Sequence, residues 1–140
     1  MNKFILFLTL GTLSFSQAQT FTKQDTLRGS ITPEREWWDL NYYHLDIAVD
    51  PDEKFISGSN TIRYKVLKPH QVLQVDLQPP LSIEKVTQDG KELTVTHNVN
   101  AHFVQLTKPQ VKGEFNEIVV TYSGHPKEAV NAPWDGGFSW

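Results

Sequence analysis

From Asp39 onward, apolar and polar residues alternate with a period close to two. Tyr43, Leu45, Ile47 and Val49 fall on one face, and Tyr42, His44, Asp46 and Ala48 on the other. That alternation predicts a half-buried strand. The residues Asp50-Pro51-Asp52-Glu53-Lys54 have turn chemistry. Beyond them Ile56, Gly58, Asn60, Ile62, Tyr64 and Val66 share a face against Ser57, Ser59, Thr61, Arg63 and Lys65, so the two runs read as a long hairpin. Further strands are expected over residues 72–77, 81–88, 92–97, 103–107 and 114–122. Asp89-Gly90 predicts a type I′ turn, because both of its central positions need positive φ.

No window sustains the 3.6-residue period with helix caps. The fold class expected is therefore all-β: an antiparallel β-sandwich or saddle-shaped sheet of about seven strands, with no substantial helix outside the signal peptide. Pro69, Pro79, Pro80, Pro109, Pro126 and Pro133 fall between runs, where a residue that cannot donate to a ladder belongs. Gly58 lies inside a run and predicts a bulge or a close backbone approach.

The two ends depart from this pattern. Lys3 precedes an almost unbroken apolar run over residues 4–15, and Ser16-Gln17-Ala18 presents small residues where a signal peptidase reads, so residues 1–18 read as a cleaved signal peptide. Residues 19–31 are polar and Thr-rich and read as a flexible leader, residues 32–126 as the β-domain and residues 127–140 as a linker or docking segment. In that last segment Trp134, Phe138 and Trp140 need something to bury them, and Gly136-Gly137 permits a sharp turn that aims them. Trp134, Asp135, Phe138 and Trp140 are therefore the expected interdomain docking residues. The other course open to the rings is to fold back over an end of this same sandwich.

Charge and cysteine content narrow the function classes. Loss of Lys3 with the signal leaves 12 basic residues against 16 acidic ones, and the basic residues are scattered singly, so no nucleic-acid partner is expected. With no cysteine, the chain has no disulfide staple, thiol nucleophile, thiolate metal site or lipidated cysteine. The localisation expected is exported, periplasmic or secreted, with no membrane span after signal cleavage.

The sequence contains no His-Glu-x-x-His, no Gly-x-Ser-x-Gly and no phosphate-cradling glycine loop. Its five histidines, His44, His70, His97, His102 and His125, are dispersed. His97 and His102 would lie on opposite faces of a continuous strand, but a turn at Asn98-Val99-Asn100 would bring them nearer. His44 and Asp46 share a strand face without an identifiable third ligand, and a polar outer face accounts for them. Glu34-Arg35-Glu36 beside Trp37-Trp38 reads as a charged edge next to a packing anchor. A glycan platform is disfavoured, because alternation sends neighbouring rings to opposite faces.

The succession Tyr43-His44-Leu45-Asp46-Ile47-Ala48-Val49-Asp50-Pro51, then Phe55-Ile56-Ser57-Gly58, then Asn60-Thr61-Ile62-Arg63-Tyr64 resembles the N-terminal domain of the aminopeptidase N family of zinc metallopeptidases. Leu73-Gln74-Val75-Asp76-Leu77 with Leu81-Ser82-Ile83, and Ile118-Val119-Val120-Thr121-Tyr122-Ser123-Gly124, resemble later strands of that domain. The opening at Pro33-Glu34-Arg35-Glu36-Trp37-Trp38-Asp39 and the ending at Ala132-Pro133-Trp134-Asp135-Gly136-Gly137-Phe138-Ser139-Trp140 resemble the secreted bacterial branch.

The resemblance implies a mostly antiparallel saddle that packs on a catalytic domain of the same polypeptide and helps wall off its active-site cavity. Zinc, the substrate-gripping residues and contact with peptide substrates would all belong to that catalytic domain. It implies no catalytic, cofactor-binding or metal-binding residue in this chain. The alternative from the residues alone is a free-standing exported β-sandwich that binds a peptide, glycan or protein.

Overall fold

The computed structural model describes residues 20–140. The signal-peptide reading of residues 1–18 lies outside them. Eight strands and one short helix follow in the order α1 (Lys23–Gly29), β1 (Trp38–Asp50), β2 (Phe55–Val66), β3 (Val72–Asp76), β4 (Ser82–Gln88), β5 (Lys91–Glu92), β6 (Thr94–Asn98), β7 (Ala101–Gln105) and β8 (Phe115–Gly124). They form an antiparallel five-stranded sheet of order β1-β2-β8-β4-β5 and an antiparallel three-stranded sheet of order β3-β7-β6. The eighth strand arises because the run expected over 92–97 breaks at the buried Leu93.

The core lies between the two sheets. Ile62, Tyr64 and Val66 of β2, Ile118 and Val120 of β8 and Val86 of β4 meet Leu73 of β3 and Val104 of β7. Two bulges keep apolar residues on this inner face. One between Leu40 and Tyr42 lets Leu40 oppose Tyr64 while Tyr43 opposes Ile62, and one between Ile83 and Lys85 aligns Ile83 with Val86. A polar cluster inside the core is hydrogen-bonded: Gln88 Nε2 donates to the Tyr64 hydroxyl at 3.2 Å, and that hydroxyl donates to Gln110 Oε1 at 3.0 Å. Asn116 Nδ2 donates to the same oxygen at 3.1 Å. Burial pushes the Tyr64 phenol up to about 12.

The expected turn at Asp89-Gly90 is present, with φ of 51° and 75°, closing Gln88 onto Lys91. Gly58 makes a close backbone approach and no bulge. It pairs with Ile47, and a Cβ there would collide with the Asp46 carbonyl.

Two expectations need correction. Within the stretch read as a flexible leader, Lys23–Gly29 forms α1, whose Thr22 cap and Asp25 side chain make a reciprocal capping box. The helix is tied down where Gln24 Nε2 donates to Asn98 Oδ1 at 2.8 Å and Gln74 Nε2 donates to the Leu27 carbonyl at 3.1 Å. Strand β1 is exposed along nearly its whole length, although its apolar residues share the face expected. The reason is length. At about 3.3 Å per residue a 13-residue strand runs about 43 Å, whereas the five-residue strands of the small sheet run about 17 Å and cannot cover it.

Candidate functional site

The uncovered part of the inner face forms the main surface feature. Tyr43, Leu45, Ile47 and Val49 of β1 pair with Ile62, Asn60, Gly58 and Ile56 of β2, so their side chains continue the core face beyond the small sheet. Leu45 is 57% exposed and Val49 55%. An open groove of about 640 Å³ runs from this shelf to the edge of β3, floored by Ile56, Ile62, Val120 and Tyr122. Its polar points are few: Asn60, Gln74, Asp76 and Arg35. Among the described residues the Asn60 Oδ1 atom has no hydrogen-bond partner. A concave, largely apolar surface with sparse polar groups suits a folded partner or an extended ligand.

The segment ahead of β1 fixes one wall. Trp37 is fully buried, its indole donates to the Val72 carbonyl at 2.7 Å, and its ring meets Tyr64 edge-on at 5.7 Å. The Trp38 indole donates to the Glu34 carbonyl at 3.0 Å. Arg35 forms an ion pair with Asp76 at the groove edge and also donates to the Arg28 and Ser30 carbonyls. The Glu34-Arg35-Glu36 edge and the two tryptophans are therefore packing and joining elements.

The last segment folds back beside the sheet. The Phe138 N–H donates to the Lys127 carbonyl at 2.8 Å and the Ala129 N–H to the Phe138 carbonyl at 3.0 Å, in a short parallel bridge. Gly137, at φ 145°, is required there, because a Cβ would lie 2.6 Å from the Ala129 nitrogen. Lys54 Nζ reaches Glu128 at 2.8 Å and ties the segment to the β1–β2 turn. Phe138 lines the groove and stacks on Trp140 at 5.4 Å, while Trp134 stands out at 88% exposure.

Asp135 faces inward to its own turn. Its carboxylate accepts from the Val130 and Asn131 N–H groups at 2.8 and 2.9 Å, and these bonds hold its pKa below the usual carboxylate value. Of the four residues read as docking groups, Trp134 is thus the free ring, Phe138 and Trp140 form a half-covered pair, and Asp135 shapes the turn that carries them.

The histidines separate into distinct settings. His44 and Asp46 stand on the exposed outer side of β1, opposite Thr61 and Ser59. The His70 ring stacks on Trp37 at 5.8 Å, and His125 packs edge-on against Phe55. His97 and His102 do come together: the turn at Val99-Asn100 makes them cross-strand partners of β6 and β7, with Nδ1 to Nδ1 at 2.7 Å. His102 is buried, and burial lowers its pKa. Among the described residues no group of three or more His, Cys, Asp or Glu is placed to hold a metal, so the three-ligand set of a catalytic zinc is not met by them.

These features define a class: an antiparallel two-sheet β-domain with an open apolar shelf beside a groove. The same fold occurs within zinc metallopeptidases. An M1 zinc metallopeptidase from Deinococcus radiodurans matches with a TM-score of 0.59 and 21% identity, over 67% of this chain and 22% of that one. A mutant of it bound to a Tyr-Ser-Ala substrate matches with the same TM-score and identity over 69% and 22%. A two-domain M1 zinc metallopeptidase mutant bound to L-arginine matches with a TM-score of 0.60 and 19% identity over 73% and 24%. This chain thus spans under a quarter of the length of those proteins. No protein-family model matches the chain, and no curated protein matches it.

Proposed function

We propose that this chain is the non-catalytic N-terminal β-domain of an exported zinc aminopeptidase, packing on the catalytic domain and helping to wall off its active-site cavity. The observation that carries the reading is the apolar shelf of Tyr43, Leu45, Ile47 and Val49, which continues the core face with nothing among the described residues to cover it. A fold shared with part of several M1 zinc metallopeptidases supports the same reading. Zinc and the peptide-cleaving groups would then be supplied by the catalytic domain. The groove also favours a second reading, a free-standing exported module that binds a peptide, glycan or protein.

The test is the size of the native polypeptide. An antibody raised against residues 32–122 is used to probe an extract of the producing cells and its culture medium. A species several times larger than this chain, whose immunoprecipitate cleaves N-terminal residues from peptides until a chelator is added, is the expected result. A species no larger than the chain, with no such activity, would overturn the proposal in favour of the binding module.

A further inference from the structure

We infer that His97 and His102 form a two-histidine chelate for a divalent transition metal, copper(II) before zinc(II). The observation is a juxtaposition that strand parity alone forbids. Residues five apart on one strand point to opposite faces, but the Val99-Asn100 turn folds β6 onto β7 and sets the two imidazoles directly across from each other.

Their protonation follows from the surroundings. His102 Nε2 lies 3.3 Å from the Leu77 carbonyl, which can only accept, so Nε2 carries the proton and Nδ1 of the neutral ring is a bare lone pair. That Nδ1 sits 2.7 Å from Nδ1 of His97, which must therefore donate its proton across the gap. An imidazole whose far N–H is anchored on a backbone carbonyl is oriented as metal-binding histidines are. Leu77 is itself held, since its N–H donates to the Asn100 carbonyl at 3.0 Å. The hairpin is held from outside by the Gln24 bond to Asn98.

Replacing the shared proton by a metal ion needs both Nδ1 lone pairs to converge. His97 is exposed, so its ring can shift its proton to Nε2 and rotate, while His102 stays fixed. Ligand affinity then orders the metals. The 2.7 Å contact is a hydrogen bond in which the two nitrogens face each other, so His97 must turn before both lone pairs reach one ion. For imidazole ligands copper(II) binds more tightly than zinc(II), which sets the order. Both rings line one cavity of about 380 Å³ with Pro79, Pro80, Ser82 and Val99, which leaves room for waters at the remaining positions. Among the described residues no third His, Cys, Asp or Glu completes the set, so the site is a pair and distinct in kind from a three-ligand catalytic zinc.

Copper(II) chloride is titrated into the full chain by calorimetry with glycine as a competing ligand, alongside His97→Gln, His102→Gln and the control His44→Gln. The expected result is one copper-binding event that weakens at least tenfold in either pair variant and is unchanged in the control. Electron paramagnetic resonance should show two imidazole nitrogens in the parent and one in His97→Gln. Zinc(II) should bind at least tenfold more weakly than copper(II). His97 is exposed, so the circular dichroism of His97→Gln should match the parent even if His102→Gln unfolds. Copper affinity and nitrogen count unchanged in a folded His97→Gln, or zinc bound as tightly as copper, would overturn the inference.

Discussion

Gly58→Ala tests why the long β1 arm stays attached. Strand β1 is the outermost strand of its sheet and pairs only with β2, with Ile47 facing Gly58 and Asp46 facing Ser59. A Cβ at position 58 would be 3.1 Å from Ile47 Cα and would overlap the Asp46 carbonyl oxygen. Because the obstacle is backbone, no rotamer change relieves it. The strands must part by on the order of 1 Å, which stretches neighbouring ladder bonds beyond the range in which they count as bonds. Roughly three such bonds at about 1 kcal/mol each are at risk. Alanine reduces the entropy of the unfolded chain and returns about 0.4–1 kcal/mol, leaving a net loss of about 2 kcal/mol. Urea unfolding followed by tryptophan fluorescence reads this through buried Trp37, with Gly29→Ala, where a Cβ meets nothing within 4 Å, as the control. Hydrogen exchange should accelerate at Ile47 and Val49 and leave Val104 protected. A Gly58→Ala chain as stable as the parent, with β1 amides equally protected, would refute the reasoning.

Tyr64 gives a pH prediction. Its phenol titrates near 12 in the fold against an ordinary value of 10.0, so between those values the unfolded chain releases a proton that the native chain keeps. Stability is fully present below pH 10, falls as pH rises and is diminished by about 2 kcal/mol by pH 12. Urea midpoints measured across that range for the parent and Tyr64→Phe check it, since the variant should show a shallower alkaline slope. The last segment gives another. Trp134→Ser should alter stability by less than about 0.5 kcal/mol, since the ring is 88% exposed, while the triple change of Trp134, Phe138 and Trp140 to Ser should raise solubility with an unchanged far-ultraviolet dichroism spectrum. Unfolding of the triple variant would mean that these rings belong to this domain's own core.

Much of the fold was legible because burial imposes period two wherever a sheet has one covered face. The β2 inner face, with Ile56, Ile62, Tyr64 and Val66 on one side, and the Asp89-Gly90 turn follow directly from residue type. Two features were not legible for a physical reason, and a third carried a signal that was easy to miss. The shift of parity at Asn41 and at Glu84 depends on bulges, which insert one residue and leave no composition signal in so short a run. The exposure of β1 depends on the length of a different sheet, which no local pattern in β1 encodes. The helix α1 has a signal that strand-based reading passed over, the Thr22-x-x-Asp25 capping pair, in a segment with no buried residue to set a helical period.

The candidate site follows the same division. The chemistry-bearing residue types are visible in the sequence, but their meeting depends on tertiary geometry. His97 and His102 are neighbours because a two-residue turn, rather than a strand, separates them. Asp135, which looks like a free docking charge beside Trp134, is engaged by two N–H groups of its own turn. The shelf combines both levels. Alternation states that Tyr43, Leu45, Ile47 and Val49 face one way, and only the mismatch between a 13-residue strand and five-residue strands states that they remain uncovered. An apolar face left open by such a mismatch is unfavourable for an isolated domain and useful for one that docks. The same mismatch therefore accounts for the exposed β1 arm, the groove at its foot and the proposed role of the domain as a packing partner.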